Sequence, residues 1–323
     1  MRRRQFITLL GGAAVVWPLA ARGQQPVRNR KIGVLHPGQS TVVSARVAAI
    51  REGLSGPVDT SVEMIIRLAD GDVSRLPALA DDLVNNRVDV IVAAAPAAVQ
   101  AASGATTSIP VIAIDLESDP VASGFVASLA HPGRNVTGVF LDFPEFSAKC
   151  LQLLIETVPS LGGVGVLWDP TTGSLQLKAV EEAAQGFGVT VQVFEAPRAA
   201  DIAEAFYGVD RSRIQGFLLL SSPLFAGNAP FIADLASRKR MPTISLFPDI
   251  ARAGGLLAYG PDLQDLFRQV GVIARKILQG AKVAELPVER PTRFQLVANL
   301  RSAKVFGITL PPSILLRADE VIE

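Results

Sequence analysis

The sequence predicts an α/β protein of two similar, doubly wound parallel-sheet lobes joined by a hinge of several chain crossings. Three observations carry that prediction. Strand patterns alternate with helical patterns across short connections, the arrangement of a parallel sheet covered by helices. The strands are apolar almost throughout, as strands buried on both faces are. The series also starts afresh near residue 136 with a similar period, and 323 residues accommodate about two domains of ordinary size.

The chain opens on three arginines before an apolar run of about a dozen residues, closed by small residues with Ala21 and Gly23 at the −3 and −1 positions of the expected cut. A charged segment, an apolar core and small closing residues form an export signal. Its apolar run is short of the roughly 20 residues that span a bilayer. Arg3-Arg4-Gln5-Phe6-Ile7 also fits the twin-arginine pattern. Cleavage is expected near Gly23, giving a periplasmic protein.

Lys31–Leu35 reads as the first strand, ended by His36-Pro-Gly-Gln-Ser40, and a helix is expected from Val42 to Leu54. Val62–Leu68 is the second strand, turned by Ala69-Asp-Gly-Asp72. Leu76, Leu79, Ala80 and Leu83 form one stripe of a helix from Leu76 to Asn86. Val88–Ala93 and Ile109–Ile114 are strands, with a helix from Ala97 to Ser103 between them. The second series runs Val136–Leu141 (strand), Glu145–Val158 (helix), Gly163–Trp168 (strand), Leu175–Phe187 (helix) and Thr190–Phe194 (strand). It continues through Ile202–Val209 (helix), Gly216–Leu220 (strand), Phe231–Arg238 (helix) and Pro242–Leu246 (strand). Gly254–Gly260 is a further strand. Asp262 caps a helix running to Leu278. Leu286–Pro291 is loop, Phe294–Ala298 a strand, and Ser302–Phe306 a short helix stopped by Gly307. These last pieces complete the two lobes by crossing back between them. The expected division is a signal at 1–23, one lobe from 29–140 with 262–284, and a second from 141–261 with 285–323.

Composition narrows the function. Apolar residues make up 49% and charged residues 19%, which suits a chain with a large core. No second apolar run reaches spanning length, so the mature protein is expected to be soluble. The four arginines in residues 1–23 leave with the signal, so 31 basic residues become 27 against 30 acidic. No basic block interleaved with aromatics marks a nucleic-acid surface. The single cysteine, Cys150, can form no internal disulfide and lies in a helical pattern, where a buried thiol is expected. His36 and His131 are far apart and each precedes a proline, so both read as loop residues. Neither a P-loop, a dinucleotide fingerprint nor a nucleophile elbow is present, and no cofactor or metal is expected.

In open α/β sheets ligands bind beyond the carboxyl ends of the strands. The candidate ligand contacts are therefore Gln39, Ser40, Ala95, Pro96, Ala97 and Asp119 from the first lobe. From the second they are Asp142, Asp169, Thr171, Thr172, Ser221, Ser222 and Phe247. Helix N-termini attract a carboxylate, aspartates an amine and phenylalanine an apolar body, so the loops suit a small polar or zwitterionic solute. Asp169 and Phe247 are expected to face the interlobe cleft. Asp115, Glu117 and Asp119 would be the acid–base set of an exported enzyme, a second and less favoured reading.

Several stretches resemble a large family of ABC-transporter substrate-binding proteins, itself similar to tryptophan- and other aromatic amino-acid-binding receptors. They are MRRRQFITLLGGAAVVWPLAARGQQP, ADGDVSRLPALADDLV, SDPVASGFVASLAHPGRNVTGV, AGGLLAYGPDLQDLFRQVGVIARKILQG and FGITLPPSILLRADEVIE. The resemblance covers the whole chain. It implies a type I periplasmic-binding-protein fold of two lobes with three crossovers. It also implies a receptor that closes on its solute and hands it to a membrane permease driven by an ATPase; the protein itself is expected to be a monomer that performs no chemistry. A sensor subunit serving a membrane signalling protein would use the same pocket. Asp169-Pro-Thr-Thr172 stands where the family usually has Asn-Pro-Thr-Asn. Ser245-Leu-Phe-Pro248 stands where many members carry a glutamate, while Tyr259 keeps the family tyrosine. With the wall altered in this way, an aromatic ligand does not carry over unchanged.

Overall fold

Residues 29–56, 62–141 and 145–323 are described by a computed structural model. The expected export signal and Asp142 lie outside the described residues. The first sheet contains β1 (Arg30–His36), β2 (Val62–Leu68), β3 (Val90–Ala94), β4 (Val111–Asp115) and β5 (Val136–Phe140). They lie in the order β2-β1-β3-β4-β5, all parallel. α1 (Ser40–Leu54), α2 (Leu76–Asn85) and α3 (Pro96–Ala105) connect them.

The apolar strands divide their side chains between two faces, because successive side chains alternate. Ile32, Val34, Val90, Val92, Ile112 and Ile114 pack on one side. Leu35, Ile91, Ala93, Val111 and Ala113 pack on the other, against α2 and α3. β3, β4 and β5 are buried on both faces, while the edge strand β2 leaves Glu63 and Ile66 exposed.

The second sheet follows the same logic. β6 (Gly163–Trp168), β7 (Thr190–Glu195), β8 (Gly216–Leu219) and β9 (Thr243–Ser245) are parallel. β10 (Leu257–Pro261) joins β9 in parallel, whereas β11 (Phe294–Asn299) runs antiparallel to β10. β12 (Glu320–Ile322) closes the edge, so the order is β12-β11-β10-β9-β8-β6-β7. Val164, Val166 and Leu218 face α4 (Glu145–Thr157) and α5 (Leu175–Phe187). Leu167, Phe217 and Leu219 face α6 (Ala199–Tyr207) and α8 (Ala229–Lys239).

The chain passes between the sheets three times. It leaves the first sheet after β5, returns to it with α10 (Leu263–Leu278), and goes back to the second with β11. The Asp262 side chain accepts from the Asp265 N–H at 3.0 Å and so caps α10. Leu266, Phe267, Val270, Ile273 and Ala274 of α10 then bury themselves in the core of the first sheet beside α1. The two helices approach closely at Gly53 and Gly271: a Cβ on Gly271 would overlap the Ile50 carbonyl oxygen and lie 2.9 Å from the Gly53 Cα. Among the described residues, no helix is long and apolar enough to cross a membrane.

Four short elements depart from the sequence expectation: α7 (Pro223–Gly227), α9 (Pro248–Ala253), α12 (Pro312–Arg317) and β12. Each of the three helices has proline in its first turn, where the missing N–H costs nothing.

Candidate functional site

The carboxyl ends of both sheets face each other across a cleft. A cavity of about 310 Å³ lies there, bounded by both lobes. From the first lobe its walls are Pro37–Gln39, Asp70–Val73 and Ala95–Ala97. From the second they are Asp169, Thr171, Thr172, Pro197–Ala199, Pro223, Leu224, Gly227 and Asn228.

Gln39, Ala95, Pro96, Ala97, Asp169, Thr171 and Thr172 are therefore brought together. Ser40 begins α1 on the exposed surface and is not part of this wall. Asp119 is exposed as well; its Oδ1 accepts the N–H groups of Val121 at 2.8 Å and Ala122 at 3.0 Å, shaping its own turn. Asp115, Glu117 and Asp119 do not converge, because Asp115 turns inward to its loop while Asp119 points out. Tyr259 stacks on Phe146, their ring centroids 5.4 Å apart, and contributes nothing to the cavity wall. His36 is not a loop residue but the buried end of β1. Cys150 is buried as expected, its thiol pushed up to about 12 by burial.

Asp169 borders the cavity with its carboxylate already engaged. Oδ1 accepts from the Thr171 N–H at 3.0 Å and hydroxyl at 2.7 Å, and Oδ2 accepts from the Ser222 hydroxyl at 2.6 Å. Ser222 in turn accepts from the Leu224 N–H at 3.0 Å, capping α7. Asp169→Ala is thus expected to destabilise the ligand-free protein by about 1–3 kcal/mol, the cost of leaving such donors unpaired. Chemical denaturation checks this; unchanged stability would make Asp169 a ligand contact alone.

Ala95 has φ +70° and Asp70 φ +55°. For alanine this backbone region costs on the order of 1–3 kcal/mol, and such strain collects at functional sites. Ala95 is held there by its N–H donating to the Ile114 carbonyl at 2.7 Å.

At the floor of the cleft the lobes are bolted together. Gln176 of α5 donates to the Leu116 carbonyl of the first lobe at 2.9 Å and accepts the Ser221 N–H at 2.9 Å. The Ser221 hydroxyl donates to Glu117 at 2.5 Å. Phe247 lies beside these groups, 4% exposed, within the core of the first lobe.

Burial, and then the neighbouring Asp115 carboxylate, push Glu117 up to about 8. Burial raises Asp115 too. A carboxyl with a raised folded-state pKa stabilises fully below its unfolded value and loses that contribution as pH climbs through the folded one. His36, held well below 6.5 by burial and then by Arg46, acts oppositely: its contribution is present above 6.5 and is lost on acidification. The two effects oppose each other below pH 6.5, and only the carboxyl effect remains between 6.5 and 8. Stability of the ligand-free protein is expected to fall across that interval at up to about 1.4 kcal/mol per pH unit for one proton. Glu117→Gln should flatten the fall. An equally steep fall in the variant would place its source elsewhere.

Sequence reasoning missed Asp70–Val73 and Pro197–Ala199, although both follow strands, β2 and β7, and the strand-end rule could have found them. Arg198 sits there as a cation, its guanidinium paired with Asp201 at 2.6 and 3.0 Å. Gln176 and Arg46 carry no local signal, since their partners come from other elements, and Glu117, read from the sequence as part of a carboxylate set, meets Ser221 of the second lobe instead.

A family model described as "ABC transporter substrate binding protein" matches residues 31–322. A tyrosine-binding protein of Clostridioides difficile (strain R20291) is 24% identical over 250 residues, 77% of this chain and 71% of the relative. An ABC domain from Streptococcus pneumonia, solved in complex with L-Trp, superposes with a TM-score of 0.83 at 28% identity, covering 91% of this chain and all of that one. A conserved domain protein of Vibrio cholerae O1 biovar El Tor gives 0.82 at 23% identity with the same coverage, a likeness of fold.

Proposed function

The chain belongs to the ABC transporter substrate-binding protein family and has the two-lobed type I periplasmic-binding-protein fold, and on that premise we propose an extracytoplasmic solute receptor. Its solute is a small, amino-acid-like organic molecule enclosed between the lobes. The observation that carries the reading is the cavity of about 310 Å³ walled by both lobes. A ligand drives closure only in so far as it contacts both lobes of the closed state. The volume lies at the small end of ligand pockets, which run from about 300 to 1,000 Å³. The tryptophan-bound and tyrosine-binding relatives support the ligand class, and Asp70, Asp72 and Asp169 on the wall suit a ligand with an amine.

Gln39, Ala95, Pro96 and Ala97 would hold the solute from residues 29–140 with 262–284, assigned to lobe 1. Asp169, Thr171 and Thr172 would hold it from residues 141–261 with 285–323, assigned to lobe 2. Residues 1–23 would direct export, by the twin-arginine route, and the monomeric receptor would deliver its solute to a permease and ATPase.

A thermal-shift panel of L-tyrosine, L-tryptophan, L-phenylalanine and neutral sugars on the signal-free protein tests this. A bound solute at about 100 times its Kd should add roughly 2.7 kcal/mol of stability. If no amino acid shifts the melting temperature while a sugar does, the ligand class is wrong.

A further inference from the structure

One contact behind the cavity pairs donor with donor. His36 Nδ1 accepts the Gly38 N–H at 2.8 Å, so the single proton of the neutral ring sits on Nε2. Nε2 lies 2.6 Å from Nη1 of Arg46, and a guanidinium has donors only. Two N–H groups therefore face each other with no acceptor between them. Shifting the proton to Nδ1 moves the conflict to the Gly38 amide, which the chain holds two residues away. Protonating the ring would set a second positive charge beside the guanidinium, and burial disfavours it further.

His36 and Arg46 both border a chamber of about 30 Å³, room for one oxygen-sized group. Ala95 and Pro223 border this chamber and the larger cavity alike, so the two adjoin. Phe267 and Phe247 supply its apolar wall, and the Arg46 guanidinium lies 5.4 Å from the centroid of the Phe267 ring. Glu117 also lines it. With its proton retained at neutral pH, it sets no full negative charge against an entering anion. Arg46 borders a third, open recess with Asp249 and Asp262 on its far side, which gives its long side chain room to withdraw.

We propose that this inner chamber is the carboxylate subsite of the solute pocket: one carboxylate oxygen enters between His36 Nε2 and Arg46 Nη1 and accepts from both. This rests on the reading of the larger cavity as a solute site. The ligand-free pair is frustrated, and an anionic acceptor turns two opposed donors into two charge-assisted hydrogen bonds. The subsite selects solutes with a terminal carboxylate over the matching amines.

The test uses four probes on the signal-free chain: L-tyrosine, 3-(4-hydroxyphenyl)propionate (no amine), tyramine (no carboxylate) and acetate. Calorimetry reads affinity, and long-range ¹H–¹⁵N spectra read the His36 ring nitrogens. Tyrosine and the propionate should bind at least about 10-fold tighter than tyramine. Arg46→Gln should weaken both carboxylates by about 10- to 100-fold, the scale of a lost charge-assisted hydrogen bond, and leave tyramine unchanged. Acetate should shift the Nε2 resonance. If Arg46→Gln fails to fold, Arg46→Lys, which keeps the charge, should retain part of the carboxylate preference. Equal affinity for tyrosine and tyramine, unchanged carboxylate binding in a folded Arg46→Gln, or a silent His36 with every carboxylate overturns the subsite. If tyramine alone binds, the subsite fails and the solute pocket stands. If acetate shifts Nε2 while no aromatic probe binds, the subsite stands and the amino-acid-like reading fails.

Discussion

Phe247→Ala is expected to cost the ligand-free protein about 3–5 kcal/mol, the scale for deleting a buried ring. The residue follows β9 of the second sheet, yet its side chain is 4% exposed and packs among Leu246, Leu266, Phe267 and Ala226 in the core of the first. Truncation would open a void where the lobes share apolar packing, beside the hydrogen bonds of Glu117, Gln176 and Ser221. Phe247→Leu keeps most of the volume and should cost less than about 1.5 kcal/mol. Urea unfolding measures both. A loss under about 1 kcal/mol for the alanine, with ligand binding abolished, would make Phe247 a pocket wall and nothing more.

Gly271→Val should be as damaging, at about 3 kcal/mol or more, the upper end of what overpacking does. At the crossing of α1 and α10 even a single Cβ would overlap the Ile50 carbonyl and press on the Gly53 Cα at 2.9 Å. Both obstacles are backbone, so neither can rotate aside; the helices would have to separate and uncover Val270, Ile273 and Ile50. Gly186 of α5 is the control. A Cβ there meets nothing within 4 Å, and alanine should gain about 0.5–1 kcal/mol through helix propensity. If denaturation shows the two substitutions to be equivalent, the close helix contact is not as described.

Much of the fold was legible because buried parallel strands advertise themselves. Val62–Leu68, Gly163–Trp168 and Leu175–Phe187 were read to their observed ends, since apolar periodicity and flanking turn residues agree there. The short helices led by Pro223, Pro248 and Pro312 were not, because five or six residues carry too little periodicity to outweigh a proline. The site was legible in outline wherever a loop follows a strand: Gln39, Ala95–Ala97 and Asp169–Thr172 reach the cavity. The cleft floor was not. Glu117 meets Ser221, and Gln176 meets Leu116, only once two lobes have folded and closed. Asp169 teaches the same lesson from the other side: its position was readable, but its engagement with Ser222 was not.

The return of α10 to the first sheet makes chain order differ from assembly order. When β1 to β5 have left the ribosome, the face formed by Ile32, Val90, Val92 and Ile112 has α1 against it but still lacks α10, for residues 141–262 must be made first. Joining partners so distant in sequence carries a loop-closure penalty that grows only slowly with length. It also raises contact order, and high contact order slows folding. Residues 29–140 therefore lack part of their core until α10 has been made. Nascent chains of intermediate length are expected to expose the part of that apolar face that α10 later covers, the kind of surface that chaperones bind.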